Sequence, residues 1–304
     1  MNNLIPLMRR EWLQHRFVWA MLTLVPLGLA VVLLSFGHVD MGDAMAARPP
    51  ADVAAVMGSM TIVITAAILF LLVWITSVFV TSSLARRDHG DRSIEFWLSL
   101  PTGHAESYVA PLLVHLLLAP AVALLVGLAG GYAMSLLVVS RFLSFSEWLS
   151  LPWGHIVGAT VALTGRVLAG LPLATLWLSP LILLAVLCNA LFKRWGLPVL
   201  SVGLGLAGVV LKYVFGQPML GQALERLFNG AATALLGASQ QSPTGGDRPS
   251  AVDTLGALPA WAVQDFGAAL SAAASPAMLA AVAVSAALFA AVVYWRRQGA
   301  GITG

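Results

Sequence analysis

"MTIVITAAILFLLVWITSVFVTSSLARR", residues 60–87, decides the fold. No charge interrupts it before Arg86, and upstream the chain stays uncharged back to Asp52. Its apolar residues run on continuously, without the alternation of a barrel strand. A backbone in lipid must satisfy its own hydrogen bonds, so a continuous apolar run reads as a helix. About 20 such residues cross roughly 30 Å of hydrocarbon, and Met57 to Leu84 exceeds that length. The whole chain agrees: its 304 residues are 59% hydrophobic and only 10% charged, where a soluble domain has about a quarter charged.

Working outward, five further runs have the length of a span: Phe17–Phe36, Tyr108–Val139, Leu168–Phe192, Leu197–Gly216 and Pro276–Trp295. Arginine and lysine orient them. Arg9, Arg10 and Arg16 precede the first span, and Arg86, Arg87 and Arg92 follow the second. Lys193 and Arg194 follow the fourth, and Arg296 and Arg297 the last. With six spans all four groups fall on one side, the cytoplasm. The other side holds Asp40, Asp43, Asp52, Glu147, Glu225, Asp247, Asp253 and Asp265. The expected fold class is therefore all-α, a polytopic membrane protein with six transmembrane helices and both termini cytoplasmic. Residues 1–304 form a single transmembrane domain of the cell inner (cytoplasmic) membrane. The net charge of +3 reflects arginines placed for orientation and points to no nucleic acid.

Four segments lie outside the spans. At 1–16, Ile5, Met8 and Trp12 share a helical face beside Arg9, Arg10 and Arg16, the pattern of an amphipathic N-terminal interfacial helix. At 140–167, "HIVGATVALTGR" (155–166) is too short to cross, so an external half-helix is expected. At 217–275 an external cap is expected, with a short helix around Leu220–Phe228 and a second over Val252–Leu270 interrupted at Pro259. Ala44-Met45-Ala46 has the spacing of a signal-peptidase site, but the run before it is too long for a signal core, so a retained anchor is expected.

The fourth segment, 85–107, is the most polar. Gly90 can end one helix and Asp91 can cap the next. A short helix then fits Arg92–Leu100. Ile94, Trp97 and Leu98 lie on one face, Phe96 and Leu100 form a second apolar pair, and Arg92, Ser93, Glu95 and Ser99 are polar. Pro101 blocks continuation. The segment presents aromatics at the cytoplasmic surface, to dock either on the membrane or in a socket on a partner protein.

Several chemistries have no signature here. The chain has only two lysines, Lys193 and Lys212, neither in the Gly-Lys-Ser/Thr context that holds phosphates. Zinc-protease and nucleophile-elbow motifs are missing, and single Cys188 excludes an internal disulfide or a Cys-based metal site. The spans as bounded above hold no Asp or Glu, which counts against a secondary carrier. His115 is open to two readings, a pathway residue or a histidine bonded within the bundle. Asn189 and Thr175 read as helix–helix hydrogen-bonding residues. Pro111 and Pro120 break the regularity of the third span, and Gly127, Gly130 and Gly131 allow close helix approach.

Three features together resemble the membrane-spanning permease of an ABC transporter of the type-2 exporter class. They are "LMRREW" at 7–12, "DRSIEFWLSLP" at 91–101 between the second and third spans, and the six-span layout with both ends inside. The resemblance implies a cytoplasmic ABC ATPase partner, with ATP and Mg held there and no cofactor or enzyme activity in this chain. It implies a homodimer, or pairing with a similar permease, surrounded by membrane lipids. It also implies that Asp91, Arg92, Ser93, Ile94, Glu95, Phe96, Trp97 and Pro101 form the ATPase-coupling element. The alternative is a non-transporting membrane scaffold or assembly factor that docks a cytoplasmic partner.

Overall fold

A computed structural model describes residues 4–36, 50–84, 105–239 and 250–299. Ten α-helices account for nearly all of them, and among the described residues there is no strand. They are α1 (Leu4–Phe36), α2 (Pro50–Ser82), α3 (Glu106–Leu113), α4 (Ala119–Phe142), α5 (Phe145–Leu149), α6 (Trp153–Phe192), α7 (Gly196–Tyr213), α8 (Met219–Leu235), α9 (Ala251–Ala273) and α10 (Pro276–Gly299). A π turn over Val114–Leu118 joins α3 to α4 into one long rod. Six helical units are long and apolar enough to cross a membrane: α1, α2, the α3–α4 rod, α6, α7 and α10. The chain is an all-α, multi-pass membrane protein.

Contacts at the helix ends show how the units alternate. At one end, the Asn189 side chain of α6 donates to the Ser82 carbonyl at the foot of α2, 3.0 Å away. Tyr108 of α3 packs there with Val186 and Ala190 of α6 and Val292 of α10. Gly196, opening α7, sits directly on Asn189. Arg9, Arg10 and Arg16 of α1 and Lys193 lie toward this end, as do Leu84 and Ala105, which flank residues 85–104; we call it the basic end. At the other end, Val53 of α2, Val139 of α4, Leu151, Ile156 of α6 and Leu255 of α9 form one buried cluster. Asp52 accepts from the Ala251 backbone there at 2.8 Å.

Outward-facing side chains are as apolar as the core. Phe17 of α1 is 68% exposed and Leu206 of α7 61% exposed. A soluble protein would not leave such contiguous apolar surface in water; lipid is its solvent.

Helix length departs from expectation. α6 has 40 residues, about 60 Å at 1.5 Å per residue, roughly twice the hydrocarbon thickness. Residues 155–166 are therefore the opening turns of α6 and not a separate half-helix. No proline interrupts α6 before Pro172, and Arg166, which reads as a polar boundary, is buried and neutralised by Asp265. α9 runs alongside α6, with Leu255 near Ile156 and Asp265 on Arg166. It continues through Pro259 without a break, and α8 extends to Leu235, beyond the expected Phe228. Within 217–275, the described helices α8 and α9 thus pack on α6.

The N-terminal residues also differ from expectation. Described residues up to Arg16 continue into the first span as one helix, α1. They run beside the third span: Glu11 meets His115, Leu27 meets Gly130, and Leu34 lies with Leu137. Trp12, expected on an interfacial face, packs near Trp19, Val73 and Ala119. The Ala44–Ala46 stretch lies outside the described residues.

Candidate functional site at the basic end of the bundle

The expected coupling residues, Asp91, Arg92, Ser93, Ile94, Glu95, Phe96, Trp97 and Pro101, all lie outside the described residues. What the structure gathers beside the flanks of that stretch is a polar cluster, and its centre is the π turn.

The π turn follows from two prolines. Pro120 has no N–H to bond the Leu116 carbonyl, and in a regular helix its ring would clash there. Pro111 interrupts the preceding turn in the same way. The backbone widens between them, and Ala119 N–H reaches back five residues to the Val114 carbonyl. A π turn inserts one residue and so rotates the side chains around it by about 100°. His115 lies inside this turn and is completely buried.

Glu11 of α1 faces it. His115 donates from Nε2 to Glu11 Oε1 at 2.9 Å, and the Glu11 side chain is only 4% exposed. His15, one turn along α1 on the same face, places Nδ1 3.5 Å from the same Glu11 oxygen. The His15 and His115 rings meet edge to face with centroids 4.7 Å apart. Trp19, one turn further, closes the cluster with its ring 5.4 Å from that of His115. Two buried polar atoms here have no hydrogen-bond partner, His115 Nδ1 and Trp19 Nε1.

Of the two readings of His115, the bonded one holds, with Glu11 as partner. That carboxylate precedes the apolar run that starts at Phe17, so the length and composition of the span do not include it. The Glu11–His15 spacing of four residues, on a helix aimed at a third-span histidine, was the available signal. Asn189 joins two helix ends as expected. Thr175, by contrast, donates to the Leu171 carbonyl of its own helix at 2.8 Å, because a hydroxyl on a helix finds the preceding turn before it finds a neighbour.

The bundle holds two other features of note. An apolar cavity of about 160 Å³ lies among Val63, Phe70, Leu124, Val167 and Leu235, with Thr160 and Thr164 at its edge. Such a cleft accepts hydrocarbon. The second is the Arg166–Asp265 clamp. Asp265 accepts from Arg166 Nε at 2.9 Å, from Gly237 N–H at 3.1 Å and from Ser239 N–H at 2.6 Å. Arg166 also donates to the carbonyls of Ala234 and Thr233 at 2.6 and 3.1 Å. Every group in the clamp is engaged, which makes it architecture.

Compared with protein-family models, with curated proteins and with solved structures, the chain matches none.

Proposed function

We propose that this chain is the permease subunit of an ATP-driven exporter of the ABC type, moving cargo through the membrane under the power of a separate cytoplasmic ATPase. The observation that carries this reading is the stretch Asp91–Pro101, "DRSIEFWLSLP", a polar helix signal closed by proline between the second and third spans. The fold supports it: both flanks of the stretch, Leu84 and Ala105, emerge at the basic end. A helix there can be pushed by a cytoplasmic partner and can pass the movement to α2 and α3, the helices it joins. Bulky residues such as Ile94, Phe96 and Trp97 anchor well when a socket buries them, while Arg92 and Glu95 fix register. The cargo path would run through a dimer of such subunits in the inner membrane, and an apolar cleft such as that at Phe70 suits a lipid-like or hydrophobic cargo. In this reading the chain binds no nucleotide, and ATP and Mg act on the partner.

The test is co-purification with the ATPase encoded nearest to this chain's gene, followed by cargo transport in vesicles. Trp97→Ala is expected to weaken ATPase association by roughly 30-fold, the equivalent of about 2 kcal/mol for a buried aromatic anchor, while the spans stay folded. Undiminished association and transport in that variant would overturn the socket. Association of the native chain without transport of any cargo would favour a scaffold that only docks its partner.

A further inference from the structure

Glu11, His15 and His115 place three nitrogen or oxygen ligand atoms within 4.8 Å of one another. The geometry points to a binding site for a divalent transition-metal cation, of the zinc class, that fastens α1 to the π turn of the third span. This inference rests on the cluster alone and is independent of the transport reading.

The donor set is the first argument. Two imidazoles and one carboxylate make a typical three-ligand zinc site that leaves a fourth position for water. Zinc–ligand bonds of about 2.0–2.2 Å put neighbouring ligand atoms of a tetrahedron roughly 3.3 Å apart. Glu11 Oε1 lies 2.9 Å from His115 Nε2 and 3.5 Å from His15 Nδ1, so side-chain adjustments of a few tenths of an ångström open these two edges to a metal. The third edge, between the imidazoles, closes when His15, the more exposed of the two at 17%, turns its Nδ1 away from the Glu11 backbone carbonyl that it meets at 3.2 Å.

Positioning is the second argument. Glu11 and His15 are one turn apart on a continuous helix and project together. His115 comes from a backbone widening, and such π turns recur at functional sites. A histidine needed only for packing would not require its ring to meet two polar side chains of another helix.

The His115 ring also keeps a spare nitrogen. His115 spends Nε2 on Glu11, and Nδ1 is fully enclosed with no partner. A metal on Nε2 replaces the proton there, and the ring proton then sits on Nδ1, the other tautomer. The indole N–H of Trp19, whose ring lies 5.4 Å from that of His115, is a second enclosed polar group without a partner.

The experiment uses the untagged full-length chain in lipid nanodiscs, stripped with chelator and then titrated with zinc. One zinc per chain is expected by elemental analysis, with a zinc-dependent rise in melting temperature. Cobalt substituted into the same protein should give the intense visible absorption of a four-coordinate site. His15→Ala removes a ligand but keeps the Glu11–His115 bond, so the variant stays folded; it should bind zinc at least about tenfold more weakly, and His115→Ala more weakly still. His155→Ala, a histidine at the opposite end of the bundle, should bind as the native chain does. No zinc uptake by the native chain, equal affinity in His15→Ala, or loss of zinc only in His155→Ala each overturns the site.

Discussion

Asp265→Ala should destabilise the chain by about 3–5 kcal/mol, the cost of leaving a buried arginine without its counter-charge. Both side chains of the pair are fully buried, so water cannot replace the lost carboxylate. Asp265 also accepts two backbone N–H groups, from Gly237 and Ser239, which the substitution orphans. The damage therefore spreads beyond one pair. The turn after α8, the flank of α6 and the middle of α9 all lose the group that holds them. Thermal unfolding in nanodiscs should show a much lower midpoint, and protease should cut first near residues 236–250. The double change Arg166→Met with Asp265→Leu should recover part of the loss, because it removes both charges and fills similar volume. It cannot recover all, since the carbonyls of Thr233 and Ala234 lose their donor too. A single-variant midpoint equal to the native one would show that the clamp contributes nothing to the fold.

That clamp also shows where the sequence could and could not be read. The spans were legible because the bilayer imposes a length and a composition that few other environments demand, and the runs around Phe70 and Val284 meet both. Their extensions were not. Arg166 and Asp265 are 99 residues apart, and each alone resembles a charged loop boundary; only their pairing lets α6 and α9 carry on through them. The same holds for Glu11 and His115, 104 residues apart. A carboxylate just before an apolar run reads as a surface group, and the histidine that buries it lies two helices away. Two local cap signals were present in the sequence and went unused. Ser144 accepts from the Glu147 N–H to open α5 and Ser250 from the Asp253 N–H to open α9, the cap chemistry that a short polar side chain offers a helix start. The glycines of the third span are legible, because a missing side chain has one structural use in a packed membrane helix: proximity.

Gly127 and Gly131 give that use its largest test. A Cβ built on Gly127 would lie 2.8 Å from the Ala66 Cα, and one built on Gly131 would lie 2.7 Å from the Ile62 carbonyl oxygen. Both obstacles are backbone atoms of α2, which cannot rotate aside as a side chain can. Carbon atoms pack at about 3.5–4.0 Å, so each added methyl forces α2 and α4 roughly 1 Å apart. Without water to drive helices together in lipid, close packing and its dispersion energy hold the pair, and that term falls steeply with separation. Gly127→Ala and Gly131→Ala should each cost about 1–3 kcal/mol. The double variant should lose close to the sum or more, since both act on one interface. Gly158→Ala supplies the contrast: it lies within α6 with nothing inside 4 Å, and removing a helix-interior glycine should stabilise by about 0.5–1 kcal/mol. Opposite signs for these two kinds of glycine in one unfolding series would establish that the α2–α4 contact is set by backbone approach. A Gly131→Ala variant as stable as Gly158→Ala would mean that the two helices are free to part, and that their close seam does not organise the bundle.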